Sequence, residues 1–466
     1  MKKKFRVLKM DLIVMKFGGS CLRNAEAFDK ILEITNLYKK NNKLVFVASA
    51  LNGITDLLLK LAQKANDHEA HENIIGEIRK IHENIITKVL DIKFQILYKE
   101  FLDDCLFKIE EMLHDIEEYE LTPYKIDFII SFGEILSTRI LAMYLNSKDI
   151  DCEYLPANLF LITDSMYNDA LPLMEITEKK IHEKVIPIIE QNVIPVITGF
   201  IARNMEAHIT TLGRGGSDFT TTILAYALKP NYDTKVILWK DVDGVLTTNP
   251  NIEPSAKLIE QISYLEAKEL AYFGAKLLHP RCIGPLEKRN IPLEIRNFEN
   301  IKKEKFSTIY RRTDIQLVKG VTYISEVAMI SAISSATVSQ PGVLAKIFDI
   351  MGSNDINVSF VCQSSSEVNT TFVVENKDGE KARDLLKKSS FFSKWFEIIV
   401  ENVGLIAIVG EGFNKPGILG RIFNALKNNK VLAISQTSGG INISILVPKE
   451  ELESAIKSIH AEFIPS

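Results

Sequence analysis

The glycine-rich stretch Thr210–Asp218 (TTLGRGGSD) combines the residue types that bind and transfer a phosphate group. Its glycines allow backbone N–H groups to approach an anion closely, and a helix N-terminus directly after them adds partial positive charge. Arg214 supplies a permanent cation, Ser217 can cap the helix, and Asp218 can hold a lysine or a metal in position. Because a glycine pair is also ordinary in turns, this stretch alone leaves a phosphate site and a plain turn equally open.

Two lysines lie in turns elsewhere that could serve the same site. Lys16 lies near the end of the strand-like run Leu12–Phe17, which a Gly-Gly-Ser turn follows directly, and Lys276 lies in the turn Phe273–Pro280. The carboxyl end of a strand is where open parallel sheets bind ligands, although either lysine alone could be an ordinary solvated side chain. If both converge on Asp218, they form a site for phosphoryl transfer.

Further polar residues suit a substrate and a nucleotide. Glu134, predicted to open a helix after the strand-like run Phe128–Ser131, could hold a substrate ammonium group. Acidic residues also favour the first helical turn because of the helix dipole, so a purely structural role stays open. The loop Lys240–Thr247 follows a strand and carries two aspartates, a glycine and a hydroxyl group, which suits a nucleotide or Mg²⁺.

Alternating strand and helix patterns predict a mostly parallel α/β sheet that would hold these residues at its strand ends. The strand-like runs include Leu44–Ala48, Val193–Phe200 and Val236–Leu238. Residues 57–120 have helical spacing and predict two or three surface helices. Residues 299–315 are polar and lysine-rich, and predict a linker.

An internal repeat follows this linker. The segment PGVLAKIF at Pro341–Phe348 recurs as PGILGRIF at Pro416–Phe423, and each copy follows a strand-like run. Each is followed by a strand, a turn of small residues and a second strand, which is typical of two tandem βαββαβ units. Such units suit side-by-side pairing, with small ligands held at the seam.

Length and composition exclude several classes of protein. A chain of 466 residues is long enough for two or three domains, and its formal net charge of −4 provides no basic excess for binding nucleic acid. The basic start is followed by an apolar run broken by charges, which predicts neither a secretory signal nor a membrane span. Five scattered cysteines without a Cys-x-x-Cys pair argue for a reducing cytoplasm and against structural zinc or disulfides.

Taken in order, these motifs resemble those of the aspartokinases, members of the amino acid kinase family with two C-terminal ACT domains. The resemblance runs from about Ile13 to the C-terminus. Its motifs are Lys16–Ser20, Gly53–Asp56, Ser131–Glu134, Thr210–Asp218, Lys240–Thr247 and Gly274–Pro280. It implies an open, mostly parallel sheet with helices on both faces, followed by two ferredoxin-like ACT units. The implied domains are a catalytic domain at 10–300, a linker at 301–318, and ACT domains at 319–400 and 401–466, the second completed by a strand from 315–325.

The resemblance implies transfer of the ATP γ-phosphate to the β-carboxylate of L-aspartate, with Mg²⁺ as cofactor. A carboxylate nucleophile is already ionised at pH 7, so the reaction needs charge neutralisation rather than a general base. The implied catalytic residues are Lys16, Asp218 and Lys276, and no protein ligand for a metal is assigned. The implied aspartate-binding residues are Thr55, Glu134, His208, Gly213 and Arg214. The implied nucleotide-binding residues are Lys16, Gly18, Gly19, Ser20, Lys240, Asp241, Asp243, Leu246, Asn251, Lys276 and Leu277.

The ACT units imply feedback by an end-product amino acid and a homodimer paired through these units. The implied effector-binding residues are Gln340, Gly342, Val343, Leu344, Asn357, Val358, Gln363, Ser364, Ser366 and Glu367. Ser359 stands where lysine-inhibited relatives often have aspartate, and the 363–367 turn resembles threonine-sensitive enzymes, so we expect threonine slightly ahead of lysine. His208 stands where many relatives have a substrate-binding arginine, which leaves that role open between Arg214 and Arg203, and Lys240 stands where threonine is common.

Two other functions remain open from the residues. A kinase of another small carboxylate, such as glutamate, would use the same phosphate-binding groups, although glutamate kinases lack paired ACT units. A catalytically silent amino acid sensor would keep the fold for binding alone, against which the presence of Lys16, Asp218 and Lys276 argues.

Overall fold

The computed structural model describes residues 11–273, 278–311, 317–334, 342–364, 368–436 and 439–464. The chain divides into two compact units: unit 1 comprises Met1–Val245 and Leu277–Arg312, and unit 2 comprises Leu246–Lys276 and Thr313–Ser466. The predictions made for Lys276, Leu277, Gln340, Ser366 and Glu367 lie outside the described residues.

The elements alternate through the first half of the chain and become mainly strands later. The strands are β1 (Asp11–Phe17), β2 (Lys43–Ala48), β3 (Cys152–Leu155), β4 (Ile194–Thr198), β5 (Ile201–Arg203), β6 (Ile209–Thr211), β7 (Asp233–Lys240), β8 (Gln261–Ser263), β9 (Leu293–Asn297), β10 (Ser307–Tyr310), β11 (Gly320–Ser334), β12 (Phe360–Gln363), β13 (Asn369–Glu375), β14 (Phe396–Val409), β15 (Ala433–Gln436) and β16 (Asn442–Pro448). The helices are α1 (Ala25–Tyr38), α2 (Ile54–Asn66), α3 (Glu72–Val89), α4 (Ile92–Tyr119), α5 (Pro123–Ser147), α6 (Met174–Lys184), α7 (Ile186–Glu190), α8 (Gly216–Leu228), α9 (Tyr264–Tyr272), α10 (Ile283–Arg289), α11 (Val343–Gly352), α12 (Gly379–Lys388), α13 (Ile418–Ala425) and α14 (Leu452–Phe463).

Unit 1 is built on a sheet in the order β3-β4-β2-β1-β7-β9-β10. Its neighbouring strands are parallel, except that β10 runs antiparallel to β9. The central strand β1 is parallel to both β2 and β7, so the carboxyl ends of these three strands meet at one edge. Residues at this edge come from distant parts of the sequence.

The two faces of β1 have different partners because side chains alternate along a strand. Ile13, Met15 and Phe17 join a large apolar core with residues of α1 to α5. Lys16 points to the opposite face, where α8 packs on β1 and β7. Since Lys16 pairs with Leu238 in the parallel register, Lys240 two residues later faces the same side.

Helix α5 corrects one prediction. Phe128–Ser131 is helical rather than a strand, because Thr122 caps a helix that starts at Pro123 and continues to Ser147. A short apolar run cannot distinguish a strand from a buried helix by periodicity alone. Of the helices in the described ranges, only α5 is long and apolar enough to cross a bilayer, yet 83% of its apolar window is buried in the protein.

Two local features also differ from the predictions. Helix α8 begins at Gly216 after Gly215 in the left-handed conformation (φ 73°), and no side chain caps it, so Ser217 is not the cap. The predicted linker contains β10, whose Ser307–Ile309 pair with β9 of unit 1. The polar composition of this segment concealed a short edge strand.

Unit 2 contains an antiparallel sheet in the order β12-β13-β11-β14-β16-β15. Residues 327–333 of β11 pair with β13, whereas residues 320–324 pair with 405–409 of β14. The chain segment before the first βαββαβ subdomain therefore adds a strand to the second. Val318 and Val321 accordingly pack in the second core with Ile406 and Ile443, while Ile330 and its neighbours form the first core.

Candidate active site

Three charged side chains form a buried cluster at the strand ends of unit 1. Lys16 Nζ lies 3.0 Å from Asp218 Oδ1, and Lys240 Nζ lies 2.8 Å from Asp218 Oδ2. The lysines end β1 and β7, and the aspartate lies in the first turn of α8. The parallel register and the shared face explain why residues 16 and 240 reach the same carboxylate.

The pKa values of this cluster reflect a balance between burial and charge. Burial raises the pKa of Asp218, but the charges of Lys16 and Lys240 outweigh burial and hold it below its ordinary value. Burial lowers the pKa of Lys16, but the charge of Asp218 and the hydrogen bond to it together outweigh burial and raise the pKa above its ordinary value. Burial and the charge of Lys16 lower the pKa of Lys240. With both lysines protonated, the cluster carries one excess positive charge, which suits an anionic ligand.

The structure adds Lys240, which was expected only among the nucleotide contacts, as a partner of Asp218. The sequence predicted that Asp218 would orient Lys16 and Lys276, whereas here its second oxygen accepts from Lys240. Lys276 lies outside the described residues. The sequence placed Lys240 at the end of a strand, but only the pairing of β7 with β1 brings it to Asp218.

The 49–53 turn packs closely against the Gly-Gly turn after β1 on one side and against the middle of α5 on the other. A Cβ on Gly19 would lie 2.9 Å from the carbonyl oxygen of Ala50, and a Cβ on Gly133 would lie 2.9 Å from Ala50 Cβ. Ser137 also donates a 2.6 Å hydrogen bond to the carbonyl of Ser49. These close approaches bring the middle of α5 to the strand ends that carry Lys16.

Glu134 is a buried carboxyl group with one free oxygen. It lies in the middle of α5, not at a helix start, and its Oε2 has no hydrogen-bond partner among the described residues. Burial raises the pKa of Glu134 to about 8, while the Ala50 backbone N–H and the charge of Lys16 partly oppose this effect. An ammonium group beside it would stabilise the ionised form.

The glycine turn before α8 presents a free cation. Arg214 is exposed, and within the described ranges it has no hydrogen-bond or ion-pair partner. The preceding Gly213 and the following Gly215 both adopt positive φ, at 65° and 73°. The turn therefore has a backbone conformation that favours glycine on both sides of the arginine.

The remaining predicted aspartate-binding residues occupy different surroundings. Thr55 is half-buried in the first turn of α2. His208 is exposed, with its ring 4.8 Å from that of Tyr124 and its Nδ1 3.2 Å from the hydroxyl of Tyr167. Tyr124 precedes Glu134 by ten residues, or about 15 Å along α5. The structure therefore does not bring His208 to Glu134.

The predicted nucleotide-binding residues are divided between the units. Gly18, Gly19 and Ser20 follow the end of β1 directly in unit 1, with Asp241 and Asp243 in the loop after β7. Asp243 is already occupied, since it accepts from Asn297 at 2.8 Å and Lys303 at 2.6 Å. Asp241 is exposed and has no polar partner in the part of the chain that the structure describes. Leu246 and Asn251 belong to unit 2.

The predicted effector-binding residues surround the start of α11 and the strand β12. Gly342 precedes α11 with φ 94°, and Val343 and Leu344 form its first turn. The other described members are Asn357, Val358, Gln363 and Ser364, in the segment leading into β12 and at its end. Gln363 donates to Thr370 Oγ1 at 3.1 Å, which joins β12 to its neighbour β13.

Sequence reasoning missed three charged residues behind the glycine turn: Asp127, Asp169 and Arg281. Asp127 precedes Glu134 by seven residues, a spacing that places both on one face of a helix. The mistaken strand at Phe128–Ser131 concealed this periodicity. Asp169 lies in an irregular segment and Arg281 in the single 3-10 turn Pro280–Cys282, and neither has a spacing that signals a contact.

Comparison with known proteins matches both units. Residues 11–297 match the model of the amino acid kinase family, and residues 330–389 and 406–463 match an ACT domain model. Aspartokinase 1, chloroplastic, of Arabidopsis thaliana is 31% identical over 97% of this chain and 80% of its own length. The chain belongs to the aspartokinases of the amino acid kinase family. The predicted family and fold class are thereby confirmed.

Two further similarities describe the extent of the match. The bifunctional aspartokinase/homoserine dehydrogenase of Buchnera aphidicola is 32% identical over 96% of this chain, which spans only 56% of that relative's length. The crystal structure of E. coli aspartokinase III in complex with aspartate and ADP has a TM-score of 0.82 and 24% identity, over 97% of this chain and 99% of that one. The second likeness concerns the fold alone.

Proposed function

We propose that this chain transfers the γ-phosphate of ATP to the β-carboxylate of L-aspartate, giving 4-phospho-L-aspartate and ADP. This is the first step of lysine, threonine and methionine biosynthesis. The observation that carries the proposal is the buried cluster in which Asp218 lies between Lys16 and Lys240. Membership of the aspartokinases and the aspartate and ADP of the E. coli crystal structure support it.

The residues have separate roles in the proposed reaction. The β-carboxylate of aspartate is ionised at pH 7 and attacks the γ-phosphorus without a general base. Lys16 and Lys240 stabilise the charge on the phosphoryl oxygens, and Asp218 holds both ammonium groups in fixed positions. The family motif at 274–280 gives Lys276 the same role at the phosphates.

Substrate binding is proposed to use two complementary charges. The free Oε2 of Glu134 accepts from the α-ammonium group of aspartate. Arg214, a free and exposed cation, binds the α-carboxylate through its planar fork of donors. Thr55, Gly213 and the backbone of the glycine turn complete the site, while the exposed His208 with its tyrosine neighbours provides at most the outer rim.

Magnesium is proposed to bind mainly through the nucleotide phosphates. Mg²⁺ commonly uses one or two carboxylates together with substrate phosphates. The lysines occupy both oxygens of Asp218, and Asp243 is held by Asn297 and Lys303, which leaves Asp241 as the free carboxylate of this loop. When bound, the ion would supply further charge neutralisation.

We also propose feedback inhibition through the ACT pair, by threonine slightly ahead of lysine, and homodimerisation through the same subdomains. The residues of α11 and β12 form the proposed effector site. Feedback requires that the effector bind one of two arrangements more tightly than the other. A cytoplasmic location is consistent with five cysteines that are all free thiols.

A coupled ADP-release assay tests the proposal with aspartate, glutamate and N-acetylglutamate as acceptors. We expect turnover with aspartate alone, and inhibition when threonine or lysine is added. Turnover only with another acceptor would replace the substrate assignment. Effector binding without turnover on any acceptor would favour the silent sensor.

A further inference from the structure

Asp127 connects α5 to two segments behind the glycine turn. Its side chain is fully buried, and Oδ2 accepts from the backbone N–H groups of Asn168 and Thr211, each at 2.9 Å. Its Oδ1 accepts from the hydroxyl of Thr211 at 2.6 Å. An ionised carboxylate is suited to this place, since it accepts from three donors and donates to none.

Arg281 links Leu212, the residue after Thr211, to Asp169. Its guanidinium donates to the carbonyl oxygen of Leu212 at 3.1 Å and holds the carboxylate of Asp169 through both terminal nitrogens, at 2.6 and 2.8 Å. A bidentate pair of this kind fixes both distance and orientation. Burial is partial, with 22% of the arginine side chain exposed.

Asp169 in turn lies directly against Gly213. A Cβ on Gly213 would lie 2.3 Å from Asp169 Oδ1 and 2.9 Å from the carbonyl oxygen of Asn168, and with φ at 65° only glycine fits here. The backbone adds a further link, since Ala170 donates to the carbonyl of Thr211 at 2.9 Å. Three successive residues, 211 to 213, are therefore held from one side, immediately before Arg214.

We propose that Asp127, Asp169 and Arg281, here called the turn clamp, are positioning residues for aspartate binding. The clamp fixes the backbone from which Arg214 projects and from which α8 begins. Among the described residues, no hydrogen bond or ion pair joins the clamp to Lys16, Asp218 or Lys240, so its effect reaches the substrate through the turn. This inference rests on the proposed function, in which the clamp serves the binding of aspartate.

Loss of the clamp should affect the KM for aspartate and the KM for ATP differently. Loosening the turn displaces Arg214 and the turn amides, which bind aspartate, while Lys16 and the Gly-Gly turn after β1 keep their places. The KM for aspartate therefore rises, and the KM for ATP changes little. A displacement of about 1 Å can change such a constant by up to about a hundredfold.

The test compares Arg281→Met with Arg289→Met in the full-length protein. Arg289 is a matched control, because it also forms a bidentate ion pair, with Glu178 at 2.7 and 2.8 Å, and also donates to a backbone carbonyl, that of Tyr226. Its partners lie in α6 and α8, away from the turn. We expect Arg281→Met to raise the KM for aspartate by about tenfold or more, and Arg289→Met by less than about twofold.

Two further variants keep the test informative if Arg281→Met does not fold. Asp169→Asn alters an exposed carboxylate and removes the charge pairing, so we expect a smaller rise of the same constant. Arg281→Lys retains the charge without the fork and should rescue only part of the loss. In the double variant that combines Asp169→Asn with Arg281→Met, the two effects on the KM for aspartate should not add, because both substitutions act through one ion pair.

An unchanged KM for aspartate in both Arg281→Met and Asp169→Asn would overturn the proposal, as would an equal rise in Arg289→Met. A lower turnover with both KM values unchanged would assign the clamp a structural role only. Wild-type protein without turnover on aspartate would instead refute the proposed function. Calorimetric titration of aspartate then still measures whether the clamp affects binding.

Discussion

The two units differ in the side chains that they bury, which are charged at the candidate site of unit 1 and apolar in the ACT cores of unit 2. In unit 1, two lysines and an aspartate are largely enclosed at the strand ends, beside a glutamate with one oxygen that has no partner among the described residues. In unit 2, the cores of the two ACT subdomains are apolar, and the described residues of the proposed effector site lie at the start of α11 and around β12, with Val343 itself in the first core. Buried charge opposes folding unless it is paired, whereas buried apolar surface favours it. Unit 1 therefore holds groups needed for chemistry, and unit 2 holds groups needed for packing and binding.

The strongest test of this contrast is the removal of a lysine from the cluster. Lys16→Met should reduce turnover by about a thousandfold, since a fixed cation near the migrating phosphoryl group is lost. The loss of stability should be small, because Asp218 keeps Lys240 and the remaining pair is neutral. ADP release and thermal unfolding measure the two quantities. A variant with unchanged turnover would show that the chemistry lies elsewhere.

A core substitution in the first ACT subdomain should show the reverse pattern. Phe372 is fully buried there, and Phe372→Ala should lower the free energy of unfolding of unit 2 by about 3–5 kcal/mol. Turnover without effector should persist below the unfolding temperature. Phe348→Ala is the control, since this phenylalanine of the same subdomain is 47% exposed and should matter much less. Equal losses from both variants would contradict the assigned core.

The pH dependence of aspartate binding tests the buried carboxyl group. Because burial raises the pKa of Glu134 to about 8, most of the free protein carries it protonated at pH 7. Only the ionised form attracts an ammonium group, so the affinity for aspartate should rise by about tenfold between pH 7 and 8.5. Glu134→Gln should bind more weakly and lose this pH dependence. An identical slope in the variant would assign the titration to another group.

The raised pKa of Glu134 also affects the stability of the protein, which should fall with rising pH while the affinity for aspartate increases. The folded state holds the proton of Glu134 more tightly than the unfolded chain does, so stability falls as pH rises from the ordinary glutamate range to about 8. Glu134→Gln has no such penalty. Its thermal stability relative to the wild type should therefore increase between pH 6 and 9.

The smallest effect is expected for Lys240→Thr. The family resemblance places threonine at this position in many relatives, so activity should fall by less than about tenfold, with Lys16 still paired to Asp218. Removal of Lys240 also removes the repulsion between the two like-charged ammonium groups. A loss as large as that of Lys16→Met would give the two lysines equal roles.

Much of this organisation follows from local sequence patterns. The strand and glycine turn at Lys16, the helix after Gly216 and the repeat of Pro341–Phe348 all have short-range signals, because turn chemistry and side-chain periodicity act over a few residues. The prediction for Phe128–Ser131 was wrong, since a fully buried helix has no polar face to reveal its period. That error also hid the shared face of Asp127 and Glu134.

The sequence by itself determined which residue types lie at the ends of strands and the starts of helices, and hence the family and the kind of chemistry. Tertiary structure alone decided that Lys240 shares Asp218 with Lys16 and that Arg281 reaches the turn beside Arg214. Each of these depends on strand order, register or loop path. Such long-range pairings are fixed by packing of the whole unit, which no local periodicity records.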